Sequence, residues 1–262
     1  MKRSILFLII QQVKQLIKSL GGAVIFYTTI PIPSRFATLE RVARWAPLVG
    51  LLIGSLLSLL DTMLNYLEMP LLTRSALVVA VWIALTGGLH LDGAIDTADG
   101  LAVRDPQKRI AVMQESVTGA FGVMAAAVLL LLKTAALGSI IDERWLGLTA
   151  SAGWGRWGQV SAIAFYPYLK PTGKGAFHKQ TFCLPADLLW GLVCMVGLSG
   201  FYLLLKPNQW LLGLSITAAG LALSLLVNFW FGQQFKGHTG DTYGAIVEWT
   251  EALLLCLYTC LS

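Results

Sequence analysis

The amino-acid sequence predicts an all-α, polytopic membrane bundle of about seven transmembrane helices, preceded by an amphipathic N-terminal helix. Hydrophobic types make up 56% of the 262 residues, and mean hydropathy is +0.70. Charged residues are 13%, about half of the ~25% of a soluble domain. Apolar runs recur at lengths near the ~20 residues that a helix needs to cross a bilayer. These figures exclude a soluble enzyme, a disordered segment and a nucleic-acid-binding module. Residues 1–262 read as one membrane-embedded domain.

In chain order, residues 1–32 form an interfacial segment. Ile5, Leu6, Ile9, Ile10, Val13, Leu16, Ile17 and Leu20 oppose Gln11, Gln12, Lys14, Gln15 and Lys18 at helical spacing. That pattern suits a helix lying on the membrane. Lys2 and Arg3 precede it without a small-residue cleavage site, so the segment is expected to be retained. Pro31 and Pro33 then stop helix growth. Seven apolar runs follow, at 45–63, 75–91, 117–140, 145–166, 185–205, 210–231 and 243–261. The four cysteines, Cys183, Cys194, Cys256 and Cys260, have neither metal-ligand grouping nor disulfide-framework spacing, and read as small apolar residues.

Seven spans sort the connections into two sets. The set 33–44, 92–116, 167–184 and 232–242 holds ten Lys and Arg residues; the set 64–74, 141–144 and 206–209 holds three, Arg74, Arg144 and Lys206. The positive-inside rule puts the first set in the cytoplasm. In a membrane protein much of the net charge of +5 is therefore orientation signal rather than a nucleic-acid footprint.

Residues with chemical potential concentrate on that cytoplasmic side. In Gly87-Gly-Leu-His-Leu-Asp-Gly-Ala-Ile-Asp-Thr-Ala-Asp-Gly100, Asp92, Asp96 and Asp99 stand at i, i+4 and i+7 and share one helix face. Three like charges there repel. A hard cation such as Mg²⁺, bound by carboxylates and substrate phosphates, relieves the repulsion. His90 approaches the same site if the helix breaks at Gly87-Gly88. The plain alternative is a solvated acidic loop with a capping Asp. Glu115, in Met113-Gln-Glu-Ser-Val-Thr-Gly-Ala-Phe-Gly122, is a further candidate ligand or base. Asp241 and Glu248 share a face at i, i+7, with Glu248 roughly 10 Å deeper and Glu251 deeper again. Intramembrane acids are costly and normally face a bundle interior or cavity. Arg156 stands ~15 Å inside its run and Lys133 ~24 Å along its own, where it can snorkel to the far interface. The loop Tyr166–Gly175, with Lys170 and Lys174, is basic and glycine-containing but lacks Walker A spacing.

These clusters resemble the cobalamin synthase family, the adenosylcobinamide-GDP ribazoletransferases, over most of the chain. The motifs that carry the resemblance are Thr28-Thr-Ile-Pro-Ile-Pro33, Gly87 to Gly100 and Thr239-Gly-Asp-Thr-Tyr-Gly-Ala245. The chain departs from the family at Glu115-Ser-Val, at His238 and at Lys170. The resemblance implies a membrane-bound, Mg²⁺-dependent transferase, multi-pass in the cell (inner) membrane, with its active site on the cytoplasmic side. It would move the phosphocobinamide group of adenosylcobinamide-GDP to α-ribazole or α-ribazole 5′-phosphate and release GMP. The expected catalytic residues are Asp92, Asp96, Asp99, His90, Glu115 and Asp241, with the first three as metal ligands. The expected substrate contacts are Arg156, Lys133, Thr239, Lys170 and Lys174. The expected partners are the two substrates, the lipid bilayer and no nucleic acid, with a homo-oligomer left open. Two rival readings make different demands on the sequence. A secondary transporter would carry its ionisable residues near the midplane at a repeat interface. A CDP-alcohol phosphotransferase would have Ala where Asp96 stands.

Overall fold

In the first helix, α1 (Lys2–Tyr27), the buried residues among those described lie in its second half. Ser19, Ala23, Val24 and Tyr27 are buried, whereas Phe7, Ile10, Val13, Leu16 and Ile17 stay exposed. A computed structural model describes residues 2–170 and 175–261. Each of the seven apolar runs becomes a helix: α2 (Ala46–Tyr66), α3 (Leu71–Thr86), α6 (Ala120–Ser139), α7 (Arg144–Phe165), α9 (Ala186–Leu205), α10 (Trp210–Phe235) and α11 (Gly240–Tyr258). Between them lie α4 (Leu89–Ala102) and the short α5 (Arg109–Val112) and α8 (Ala176–Thr181). Among the described residues there is no β-strand, only one isolated bridge between Tyr168 and His238.

The bundle is built around α7. Nearly every residue from Arg144 to Ile163 is buried. Small residues let α2 approach it closely: a Cβ on Gly50 would lie 2.8 Å from the Ala152 carbonyl carbon. Small residues at helix contacts are the usual device for close approach in membrane bundles. Four helical segments are long and apolar enough to cross a membrane by themselves: Val42–Tyr66, Ala120–Ser139, Ala186–Leu205 and Pro207–Phe235. α7 and α11 are long enough to span but carry polar and charged side chains. The other helices cover those side chains, so they have less need of an apolar surface.

The run expected at 75–91 ends early. Gly87 and Gly88 have φ of +61° and +68°, and the chain turns 91° between α3 and α4. Two consecutive left-handed residues are readily adopted only by glycine. The aspartate motif, expected in a connection, is therefore a helix tucked against the N-terminal turns of α11 and α6. At its contact with α11 a Cβ on Gly93 would lie 2.6 Å from the Asp241 carbonyl oxygen. A Cβ on Gly244 would lie 2.7 Å from that of His90.

At the far end, Asp61 accepts hydrogen bonds from Arg144 Nε and Nη2 at 2.8 and 2.7 Å, and Arg74 Nε lies 3.1 Å from it. Lys206 pairs with Glu143 at 2.9 Å. All three basic residues of that side thus have an acidic partner, Arg74 and Arg144 sharing Asp61.

Candidate active site

The α3–α4 break, the start of α11 and the loop after α7 enclose a cavity of about 320 Å³. Asp92, Lys170 and Asp241 line its open part; His90, Gln159, His178 and Tyr243 line its buried part. The cavity is assembled by local hydrogen bonding. Leu169 N–H donates to the His238 carbonyl at 2.8 Å, and His238 N–H donates to that of Pro167 at 3.0 Å. This pairing seats Lys170 Nζ 2.8 Å from Asp241 Oδ2. Thr239 caps α11: its hydroxyl accepts from Thr242 N–H at 3.3 Å, and the Thr242 hydroxyl accepts from Thr239 N–H at 2.8 Å. That reciprocal capping box fixes where Asp241 points.

The three aspartates of α4 are divided between two tasks. Asp92 is exposed at the cavity and Asp96 is half-buried beside it. α4 lies beyond the end of the α3 span, and burial with Asp92 and Asp241 nearby pushes the Asp96 carboxyl up to about 6. Asp99 faces α6. Its two oxygens accept from Gly119 N–H at 2.7 Å and Gly122 N–H at 2.8 Å. The expected set of three metal-binding carboxylates is therefore not brought together. Among the described residues no three His, Cys, Asp or Glu side chains are grouped so as to hold a metal ion. What the residues fit is a Mg²⁺ held by one or two carboxylates and completed by substrate phosphate, the usual arrangement for this ion.

Arg156 and Lys133, expected to touch substrate, are instead 0% and 3% exposed. Arg156 Nη1 donates to Glu251 Oε1 at 2.8 Å, and Lys133 Nζ reaches Glu248 at 2.6 Å and Glu251 at 2.5 Å. Two cations and two carboxylates make a neutral network that joins α6, α7 and α11. Lys133 does not snorkel because both acids of α11 lie within its reach. Glu115 is exposed in the turn before α6, outside the cavity lining. Thr239 is fully buried as a cap. Lys174 lies outside the described residues.

The sequence reasoning did not single out Tyr27, Gln159, His178 or Tyr243. One signal was available. The chain has three histidines, and all of them gather here, His238 with its ring centroid 5.8 Å from that of Tyr243.

A family model described as cobalamin-5-phosphate synthase matches residues 19–259. The chain is 57% identical over 251 residues to an adenosylcobinamide-GDP ribazoletransferase of Trichormus variabilis, covering 95% of this chain and 100% of the relative. It is 53% identical to one from Synechocystis sp., covering 90% and 92%, and 51% identical to one from Thermosynechococcus vestitus, covering 91% and 94%. No solved structure matches.

Proposed function

This chain belongs to the cobalamin-5-phosphate synthase family, and we infer that it transfers the phosphocobinamide group of adenosylcobinamide-GDP to α-ribazole or its 5′-phosphate, releasing GMP. The observation that carries this reading is the end-to-end identity with relatives of that name. An acidic cavity supports it, since a pyrophosphate displacement needs to hold anionic donor and metal at one place. Mg²⁺ bound there would neutralise phosphoryl oxygens and orient the attacking and leaving groups.

Asp92 and Asp96 are the residues to hold that ion, with Asp241 adjoining. Lys170 positions Asp241 and offers positive charge to the donor diphosphate. Of the groups that can take the acceptor hydroxyl proton, a carboxylate is favoured over His90. Burial, reinforced by the Arg156 and Lys133 charges, holds His90 neutral, well below its ordinary range. A weaker base accepts a proton less readily. The density of basic residues at the cavity end supports a cytoplasmic active site in the cell (inner) membrane.

The deciding experiment is GMP release by the purified protein from adenosylcobinamide-GDP plus α-ribazole, with and without Mg²⁺. Release that depends on both acceptor and metal supports the reading. No release with either acceptor overturns it. Release in the presence of EDTA removes the metal from it.

A further inference from the structure

The cavity has two chemically different parts. Around Asp92, Asp241 and Lys170 it is charged and open to solvent. Its floor is uncharged, aromatic and buried: His90, Gln159, His178 and Tyr243 are each 3% exposed or less. The Tyr27 ring is stacked between two imidazoles, 6.0 Å from His90 and 6.0 Å from His178, and Phe26 meets His178 edge-on at 4.8 Å.

Apart from Gln159 Nε2, which donates to the Tyr27 hydroxyl at 3.4 Å, most of the hydrogen-bonding capacity of this floor is unused. Both ring nitrogens of His90, both of His178, Gln159 Oε1 and the Tyr243 hydroxyl are buried without a partner within the protein. Buried polar groups are paired in more than about 90% of cases, and each orphan costs about 1–3 kcal/mol. Six such atoms on four residues that line one cavity mark a place for a polar ligand rather than a packed core. Burial lowers His178 to about 3, so its ring is neutral and offers one donor and one lone pair. The charges of Lys133 and Arg156 are balanced by Glu248 and Glu251, although Arg156 Nε and Nη2 have no hydrogen-bond partner within the protein. The floor therefore suits a flat, uncharged, nitrogen-containing ring, not a phosphate.

Size and chemistry narrow the choice. About 320 Å³ lies at the lower end of the ~300–1,000 Å³ of ligand sites. It admits a nucleoside and excludes a corrinoid macrocycle. Guanine presents adjacent N–H donors that a carboxylate would read, and the floor has none. The base of ribazole presents a ring-nitrogen lone pair and apolar edges, which match an imidazole N–H, the Tyr243 hydroxyl and the Phe26 ring.

We propose that this floor binds the heteroaromatic base of the acceptor nucleoside, with His178, Gln159 and His90 setting its specificity and the ribose directed toward Asp92 and Asp96. The proposal rests on the transferase reading above and adds the orientation of the acceptor within it.

The test uses the full chain in lipid nanodiscs and reads two quantities: equilibrium binding of α-ribazole alone, and the separate KM values for acceptor and donor. His178→Phe and Gln159→Leu keep bulk and remove hydrogen bonds; thermal unfolding shows whether each is folded, and either one suffices. Each is expected to weaken α-ribazole binding and raise acceptor KM about tenfold or more, the effect of one lost hydrogen bond, with donor KM unchanged. A rise in donor KM with constant acceptor KM would give the floor to guanine and overturn the proposal. So would unchanged values for both substrates. If the wild-type protein releases no GMP yet binds α-ribazole through these residues, the transferase reading fails and the subsite stands.

Discussion

Asp99 Oδ2 lies 2.7 Å from the Gly119 amide nitrogen and so caps, from a different helix, the first turn of α6. With Oδ1 on Gly122 N–H at 2.8 Å, one carboxylate satisfies two of the donors that a helix start leaves open. The charge also opposes the positive end of the helix dipole. Asp99→Ala is expected to cost about 1–2 kcal/mol of stability, the usual loss of a good cap, and to lower the melting temperature in detergent. A wild-type melting curve would contradict the capping role.

Asp92 and Asp96 are expected to behave in the opposite way. Asp92→Asn and Asp96→Asn remove charge from a repelling group and should fold at least as stably as wild type. Turnover should fall about 100-fold or more, equivalent to ~2.7 kcal/mol of barrier, with partial recovery at raised Mg²⁺. Near wild-type turnover for both at limiting Mg²⁺ would remove these residues from the chemistry.

The seven helices were legible because period and run length are local properties. Local pattern does not reveal that Asp99 turns to α6 while Asp92 lines the cavity, because the partner amides of Asp99, Gly119 and Gly122, lie twenty or more positions away in sequence. It also misplaces the end of α3: Gly87-Gly88 reads as a weak point in an apolar run, and only their positive φ makes it a right-angle turn. The distance of Lys133 along its helix points to the far interface, whereas its surroundings are set by Glu248 and Glu251 of α11. Gln159 and His178 sit in no motif, so only the tertiary fold reveals them.

The Lys133–Glu248–Glu251–Arg156 network predicts a stability phenotype. Removing one partner leaves a buried charge uncompensated and costs about 3–5 kcal/mol. Lys133→Met should therefore fold poorly. Lys133→Met combined with Glu248→Gln should recover part of the loss, giving a non-additive double-mutant cycle in thermal unfolding. A stable Lys133→Met protein with raised substrate KM would instead return this lysine to substrate binding.

Lys170 and Asp241 form a partly exposed pair, at 16% and 24% side-chain exposure. Such pairs add about 0–1 kcal/mol to stability, so Lys170→Met should melt close to wild type. Its effect should appear as a donor KM raised about tenfold, ~1.4 kcal/mol, with acceptor KM unchanged. A lowered melting temperature with constant donor KM would make the pair a structural tie only.

Two native cysteines test the orientation. Cys183 and Cys260 are both exposed; the first precedes α9 at the cavity end and the second follows α11 at the far end. A membrane-impermeant maleimide applied to spheroplasts should label Cys260 and spare Cys183 until lysis. The reverse pattern would put the cavity outside and overturn the charge-based topology.

The last prediction separates backbone conformation from helix contact at the turn that forms the cavity. A Cβ on Gly88 would meet nothing within 4 Å, and its φ is +68°. Gly88→Ala therefore costs only the left-handed conformation, about 1–2 kcal/mol, and Gly88→Asn should cost less because Asn tolerates that region. Gly93 has ordinary helical backbone, but an added Cβ would lie 2.6 Å from the Asp241 carbonyl oxygen. Backbone cannot yield as a flexible side chain does, so Gly93→Ala must push α4 away from α11. That shift separates Asp92 and Asp96 from Asp241 and Lys170. Reactive geometry tolerates little displacement, and about 1 Å costs about 100-fold. Gly93→Ala is expected to lose that much activity with normal insertion, while Gly88→Asn keeps most of it with a modestly lowered melting temperature. Equal activity in the two variants would mean that the α4–α11 contact does not set the geometry of the site.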